Sequence, residues 1–243
     1  MTALDEAGAL LDGAEGRQEM AARLVHGLGL REVLELGVWR GDFAAAMLRA
    51  CSGIETYWML DPWRRLDGWN KPWNVSDAEF DEVFAAAMAA TEFAGDRRRV
   101  LRGTTVEAIG EIPDGNLDFA YVDGDHTLRG ITVDLLNVWP KLRDGGWLMG
   151  DDFSPTIWQH RAEFEPTMVF PWAVHFAEAV QCPILALPHH QFLIRKDLAR
   201  PGFALRDPDG RYGPTDVLAQ MPPPPGGRGW KARAKRLVRK AFG

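Results

Sequence analysis

Two apolar segments of the sequence end in acidic residues. "LDFAYVDGDH" runs into Asp123, Asp125 and His126, and "GGWLMGDDF" runs into Asp151 and Asp152. Carboxylates bind cations, and an imidazole can transfer a proton near neutral pH. Acidic residues after a strand often serve only as helix caps or turn formers. Four carboxylates and a histidine at the ends of neighbouring strands would instead form a reactive site.

The spacing of apolar residues predicts strands that alternate with helices. The first five strands are expected at residues 31–37, 56–61, 99–104, 117–123 and 146–152. A hairpin made of "PILALP" and "QFLIRK" follows. The pattern predicts an α/β fold: a doubly wound, mostly parallel, Rossmann-like sheet of seven strands with a final antiparallel hairpin strand. The carboxyl ends of such strands share one edge, where ligands bind, so we expect the acids at the strand ends to meet there.

The first strand leads into a glycine-containing turn and a helix, "ELGVWRGDFAAAML". Gly37 allows a sharp turn, and Gly41 allows the start of the helix to approach a ligand closely. The spacing is not the G-x-G-x-x-G of dinucleotide-binding proteins, which disfavours a nicotinamide dehydrogenase. Glu35 would suit an amino group, and Asp61 after the second strand is placed to accept hydrogen bonds from ribose hydroxyls. This pair of acids is typical of S-adenosylmethionine binding.

Four segments together resemble one enzyme family. "VLELGVWRG", "YWMLDPW", "LDFAYVDGDH" and "LRDGGWLMGDDF" occur in the order and spacing of class I S-adenosylmethionine-dependent methyltransferases. The sequence most resembles the metal-dependent O-methyltransferases that include macrolide-sugar and aminocoumarin-sugar enzymes, and more distantly catechol O-methyltransferase. The resemblance covers roughly residues 16 to 196. It implies transfer of a methyl group from S-adenosylmethionine to a hydroxyl.

The resemblance also assigns roles to single residues. Asp123, Asp151 and Asp152 match the positions that hold Mg²⁺ in the family, and His126 matches the catalytic base. Asp123 is also expected to take part in catalysis and cofactor binding, and Thr104, after the third strand, completes the cofactor site. Carboxylate oxygens are the ligands that Mg²⁺ prefers, and a metal-bound hydroxyl gives up its proton readily to a nearby base.

Asp125 is expected to be the N-cap of the next helix rather than a metal ligand. His126 would then lie in the first helical turn, whose positive end lowers the pKa of an imidazole and favours its neutral form.

The acceptor is less clearly indicated. The segment after the second strand contains Trp63, Trp69 and Trp73, and with "SPTIWQH" it could cover the site. Tryptophan faces pack against sugar rings, but they also stack on catechols and fill protein cores. We favour a sugar hydroxyl, chiefly because His126 resembles the base of the sugar enzymes. A metal-dependent hydroxylase of the same architecture is the competing enzyme class, and a cofactor-binding or membrane-tethering protein is the non-enzymatic alternative.

Composition limits the remaining possibilities. The 243 residues suit one sizeable domain, and a net charge of −6 disfavours a nucleic-acid-binding protein. The two cysteines make no disulfide framework, and no signal peptide or membrane-spanning run is recognised, so we expect a cytoplasmic protein. We also expect a homo-oligomer.

The C-terminal region has a different composition. We expect a methyltransferase domain at 1–205, a linker rich in proline and glycine at 206–229, and a basic amphipathic helix at 230–243. Seven Lys or Arg and no acidic residue occur from Arg228 onward. This helix could dock on the acidic body or a partner subunit, or contact an anionic surface.

Overall fold

The computed structural model describes residues 2–161 and 163–212. Its helices are α1 (Ala3–Leu11), α2 (Arg17–Gly27), α3 (Asp42–Ala50), α4 (Asp77–Ala90), α5 (Thr105–Ala108), α6 (Leu128–Val138) and α7 (Val169–Ala179). Its strands are β1 (Glu32–Leu36), β2 (Thr56–Asp61), β3 (Arg98–Arg102), β4 (Leu117–Val122), β5 (Leu142–Gly150), β6 (Ile184–Leu187), β7 (Gln191–Arg195) and β8 (Leu205–Arg206).

The described strands form one sheet in the order β3-β2-β1-β4-β5-β7-β6-β8. The strands from β3 to β5 pair in parallel, and β7 runs antiparallel to both β5 and β6. The prediction of a doubly wound, mostly parallel sheet with a final antiparallel hairpin is therefore confirmed.

Apolar side chains of alternate residues build a core on each face of the sheet. In β1, Val33 belongs to the core on one face, together with α1 to α4, whereas Leu34 and Leu36 belong to the core on the other face, with α6 and α7. Burial on both faces explains why the central strands read as nearly continuous apolar runs. Only their ends are free to carry polar side chains, which is why the acids gather there.

The packed body extends past the domain end expected at residue 205. Leu205 and Arg206 form β8, a short eighth strand that pairs in parallel with β6. Tyr212 is buried, donates its hydroxyl to the carbonyl oxygen of Phe153 and packs against the ring of Phe170. The described residues therefore pack past the expected boundary, and the rest of the expected linker, after residue 212, lies outside them. The expected basic helix at 230–243 lies outside the described residues.

Within residues 2–161 and 163–212, no helix is both long and apolar enough to cross a membrane.

Candidate active site

The backbone brings four strand ends together at one edge of the sheet. Gly37 N–H donates to the carbonyl of Leu60 at 2.9 Å, and Asp123 N–H donates to the carbonyl of Leu36 at 2.8 Å. Asp151 N–H continues the row by donating to Val122 at 3.1 Å. The turn after β1 and the acids that end β4 and β5 are therefore fixed side by side.

A cavity of about 780 Å³ opens at this edge. It is large enough for a nucleoside-containing cofactor and part of an acceptor. Of the residues expected in the site, those that line it are Gly37, Asp61, Thr104, Asp123, His126, Asp151 and Asp152.

An arginine lies between two of the acids. Arg17 Nη1 is 2.6 Å from Asp123 Oδ2 and also contacts Asp151 Oδ2. On its other side, Asp151 accepts a hydrogen bond from Gln191 Nε2, and Gln191 in turn accepts one from the Tyr121 hydroxyl at 2.8 Å. One guanidinium nitrogen thus occupies the space between the Asp123 and Asp151 carboxylates. No local sequence pattern marks Arg17 as a residue of the site.

The third acid faces the histidine. His126 Nδ1 lies 2.5 Å from Asp152 Oδ2, and Nε2 lies 3.1 Å from Asp123 Oδ1. Nε2 is buried, but within the described residues no acceptor is aligned with it for a hydrogen bond. Asp152 therefore orients the ring, while Nε2 is the nitrogen that remains free to exchange a proton.

The electrostatics of His126 differ from the expectation. Burial lowers the pKa of His126, but the carboxylates of Asp123 and Asp152 outweigh this effect and raise the pKa to about 10. The expected lowering by a helix terminus was wrong, because α6 begins at Leu128 and His126 precedes it. With Arg17 already beside Asp123, a pKa of about 10 means that His126 is protonated at neutral pH in this structure.

The N-cap of α6 is Thr127, not Asp125. The Thr127 hydroxyl accepts a hydrogen bond from Gly130 N–H at 3.1 Å. The Asp125 carboxylate instead accepts from Thr127 N–H at 2.9 Å and from Trp69 Nε1 at 3.0 Å. Asp125 thus links the loop that carries His126 to the tryptophan-rich segment.

Two residues expected to bind the cofactor have structural partners. Glu35 is buried and accepts the hydroxyl hydrogen of Tyr57 at 2.7 Å, and it is not among the described residues that line the cavity. Burial raises the pKa of Glu35 well above its ordinary value. Gly41 also lies away from the cavity lining, and a Cβ there would lie 3.0 Å from the Ala87 Cα. Gly41 therefore permits close packing of α3 on α4.

Gly37 and Thr104 do line the cavity. A Cβ at Gly37, where φ is +88°, would lie 1.9 Å from the Asp123 carbonyl oxygen, so only glycine fits. Thr104 caps α5, and its hydroxyl donates to Glu107 Oε2 at 3.0 Å. The close approach of Gly37 to Asp123 places the turn after β1 directly against the loop after β4.

Asp61 lines the cavity and also holds the turn after β1. Its carboxylate accepts from the N–H groups of Val38 at 2.9 Å, Trp39 at 3.0 Å and Trp63 at 2.8 Å. Carboxylate oxygens accept more than one hydrogen bond, so ribose hydroxyls could still bind there.

We expect Asp61→Ala to weaken S-adenosylmethionine binding by about 2–3 kcal/mol and to lower the free energy of unfolding by about 1–3 kcal/mol, because three backbone N–H groups lose their acceptor. Calorimetric titration and denaturant unfolding measure the two effects. Asp67→Ala, which removes an exposed carboxylate from the same cavity wall, is the control. Unchanged affinity in Asp61→Ala would remove Asp61 from the cofactor site.

The tryptophans differ in their environments. Trp63 is buried in the core, where its Nε1 donates to the Trp39 carbonyl at 2.8 Å. Trp69 and Trp73 line the cavity, and Trp73 is 58% exposed and packs edge-to-face on Trp39. Two of the three tryptophans are therefore available to an acceptor.

The segment containing Trp69 is tied to the loop after β5. Lys71 Nζ donates to the Glu165 carbonyl at 2.9 Å and to Thr167 Oγ1 at 3.2 Å, and Asn70 Nδ2 donates to the Glu163 carbonyl at 2.6 Å. We refer to residues 69–73, 159–161 and 163–167 together as the cover. His160, the last residue of "SPTIWQH", lines the cavity together with Trp69 and Trp73.

Asp134 is a buried cavity-lining acid that the sequence analysis did not single out. It accepts from the Thr105 hydroxyl at 2.5 Å and from Asp125 N–H at 3.3 Å. Burial raises the pKa of Asp134 to about 7. No short-range pattern marks it, since Asp134 belongs to an ordinary amphipathic helix.

The raised pKa of Asp134 predicts a pH dependence of stability. The unfolded chain ionises near the ordinary value of 3.8 and the folded protein only near 7, so the free energy of unfolding should fall as pH rises between these values and level off above them. Between pH 5 and 7 the loss should be roughly 2 kcal/mol. Asp134→Asn should remove this part of the slope in denaturant unfolding, whereas Asp114→Asn, at an exposed acid, should keep it. An unchanged slope in Asp134→Asn would contradict the assignment.

Comparison with known proteins gives a consistent result. Residues 34–153 match the family described as a methyltransferase domain. Over 159 residues the chain is 27% identical to the uncharacterized protein y4gI of Sinorhizobium fredii (strain NBRC 101917 / NGR234). That match covers 61% of this chain and 17% of the relative's length, so the chain spans only a small part of this curated relative.

Solved structures share the fold. An O-methyltransferase from Bacillus cereus in complex with S-adenosylhomocysteine has a TM-score of 0.53 at 17% identity, over 79% of this chain and 86% of that chain. The O-methyltransferase NovP has a TM-score of 0.51 at 14% identity, over 80% and 79%. Cofactor-bound Rv0187 from MTB has a TM-score of 0.54 at 16% identity, over 79% and 88%.

The matched segment contains the glycine turn, Asp61 and the acids of β4 and β5, which are the features that suggested the family. Residues 34–153 therefore form a methyltransferase domain, and the chain has the fold of known O-methyltransferases.

Proposed function

We propose that the protein transfers the methyl group of S-adenosylmethionine to a hydroxyl, with the help of Mg²⁺, and that the acceptor is a sugar. The observation that carries the proposal is the position of His126. Its Nδ1 is held by Asp152, and its Nε2 lies at the edge of the sheet beside Asp123, in the cavity that also contains the glycine turn. A base oriented by a carboxylate is the arrangement that general-base catalysis requires.

The donor set fits Mg²⁺ in its chemistry. Asp123, Asp151 and Asp152 would hold the ion, because carboxylate oxygens are hard ligands. The guanidinium shared by Asp123 and Asp151 supports a preference for positive charge between these two acids. Asp152 faces His126, and within the described residues no three acids or histidines converge on one point.

The chain's own residues would then act as follows. His126 Nε2 takes the proton of the acceptor hydroxyl, and the oxygen attacks the methyl carbon of the sulfonium. The carbon–sulfur bond breaks as the oxygen–carbon bond forms, and S-adenosylhomocysteine leaves with the electron pair. When bound, Mg²⁺ would acidify the hydroxyl and neutralise the carboxylates that otherwise keep His126 protonated. Asp152 orients the imidazole ring through Nδ1.

The cover supports a sugar acceptor. Trp69 and Trp73 offer aromatic faces, and Lys71, His160 and Asp125 offer polar groups on the same cavity wall. A flat apolar face beside hydrogen-bonding groups suits a sugar ring, whose faces are apolar and whose edges carry hydroxyls.

The test is incubation of the full chain with labelled S-adenosylmethionine, Mg²⁺ and two panels, one of glycans and one of small phenols. We expect methylated glycans by mass spectrometry and formation of one S-adenosylhomocysteine per product. Methylation of phenols alone would reject the sugar acceptor but keep the methyl transfer. Oxygen consumption without S-adenosylhomocysteine would replace the proposal with a hydroxylase.

A further inference from the structure

Arg17 is the first residue of α2, far in the sequence from the acids that it contacts. The same atom, Nη1, contacts both Asp123 Oδ2 and Asp151 Oδ2. The two carboxylates are only 18% and 15% exposed, whereas the Arg17 side chain is 41% exposed. One cation that reaches in from the solvent side therefore balances part of the charge of two largely buried carboxylates.

We infer that Arg17 competes with Mg²⁺ for the space between Asp123 and Asp151, occupying it in the metal-free protein and leaving it when the metal binds. This inference rests on the proposed function, since it assumes that these acids bind Mg²⁺.

Arg17 and a metal ion would need the same space and would balance the same negative charge. Two like-charged carboxylates that share one site repel each other unless a cation lies between them. Nη1 supplies that cation, and it occupies the space between Asp123 and Asp151, two of the residues that would hold Mg²⁺. The guanidinium and the metal therefore exclude each other.

The partial exposure of Arg17 allows its side chain to move away from the two acids. A long side chain that is partly in solvent can swing from the acids by rotating its own torsions, with no change in the sheet. The fraction of molecules in which it has left sets the apparent metal affinity, because only those molecules are open to Mg²⁺. Arg17 would thus determine the Mg²⁺ concentration at which the site fills.

The test is calorimetric titration of Mg²⁺ into the full chain and into Arg17→Gln. If the open fraction in the wild type is about one tenth, the variant should bind Mg²⁺ about tenfold more tightly. Arg129→Gln removes a different positive charge from the wall of the same cavity, so it reports the general effect of charge. We expect Arg129→Gln to stay within about twofold of the wild type, since exposed charges are screened by salt.

Thermal unfolding gives a second measurement that does not depend on activity. In EDTA, Arg17→Gln should unfold at a lower temperature than the wild type, because its acid pair has lost its cation. Saturating Mg²⁺ should raise its midpoint by more than it raises that of the wild type. Arg23→Ala, on the same helix but paired with Glu19, should show neither difference.

The outcomes distinguish the competition between Arg17 and Mg²⁺ from the metal requirement of the proposed function. Wild-type protein that binds Mg²⁺ together with an Arg17→Gln variant of equal or weaker affinity would overturn the competition and leave the proposed function intact. Absence of Mg²⁺ binding in both, with methyl transfer unaffected by EDTA, would overturn the metal requirement and the competition with it. If Arg17→Gln does not fold, Arg17→Lys is titrated instead. Its ion pair with the two acids is weaker, so Mg²⁺ should still bind more tightly than in the wild type. An unchanged Mg²⁺ affinity in Arg17→Lys would contradict the competition.

Discussion

His126→Ala should lower turnover by about 10²–10⁴, the usual contribution of a general base, while S-adenosylmethionine and Mg²⁺ still bind. The structure gives the reason: Nε2 is the nitrogen free to accept a proton, and Asp152 fixes the ring through Nδ1. Steady-state kinetics and calorimetric titration measure the two halves of this expectation. Raising the pH should partly restore the variant, because more of the acceptor is ionised without help.

His175→Ala is the matched control, since His175 is an exposed histidine of α7 that contacts Glu178. It should retain wild-type turnover. A His126→Ala enzyme with wild-type turnover, under conditions in which chemistry limits the rate, would reduce His126 to a residue that packs against acids.

The pKa of His126 can be followed directly by NMR titration of its imidazole. In EDTA the pKa should lie well above the ordinary 6.5, near 10, and Mg²⁺ should lower it by engaging the neighbouring carboxylates. Since the folded-state pKa is raised, the ion pairs of His126 stabilise the metal-free fold fully below pH 6.5, and this stabilisation is lost as pH rises towards 10. The rate of the metal-loaded enzyme should therefore rise with pH through an ionisation that lies lower than in the metal-free protein.

Asp123→Ala is expected to have the second large effect. Asp123 is the acid that contacts both Arg17 and His126, so its removal disturbs the cation site and the base together. We expect turnover to fall by about 10² or more, with partial recovery in excess Mg²⁺, because the remaining ligands bind the ion more weakly. Asp151→Ala and Asp152→Ala should also weaken Mg²⁺ binding, measured by calorimetry.

Asp114→Asn, at a largely exposed acid paired with Lys141, is the control for loss of a carboxylate and should leave turnover and Mg²⁺ affinity unchanged. Full activity of the wild type after exhaustive treatment with EDTA would contradict the role of the metal. Equal Mg²⁺ affinity in the wild type and in all three aspartate variants would place the ion elsewhere.

Sequence patterns located the strand ends well because burial on both faces leaves a strand few positions for polar residues. Asp123 and Asp151 stand out for that reason, and parallel pairing brings them together. Arg17 could not be found in this way, because it is 106 residues from Asp123 and 134 from Asp151. Its place at the site depends on how α2 packs, and nothing local encodes that packing.

Other differences between expectation and structure depend on the three-dimensional course of the backbone, which the local sequence does not determine. Asp125 and Thr127 are both good N-cap residues, and the helix begins after the second of them. Glu35 has the position of a ligand-binding acid, but its carboxylate is directed to Tyr57 within the core. Trp63 looks like a member of the cover in the sequence and is a core residue in the structure.

The cover has a consequence for how such an enzyme can change. The groups proposed to carry out the reaction lie at the ends of β1, β4 and β5, in a framework that tolerates little alteration, as the contact between Gly37 and Asp123 illustrates. The groups proposed to touch the acceptor lie in irregular segments joined to each other mainly by side-chain bonds such as that from Lys71 to Glu165. Substitutions in those segments can change which acceptor the protein binds while the reacting residues stay the same. We therefore expect acceptor selectivity to diverge among related proteins before the reaction does.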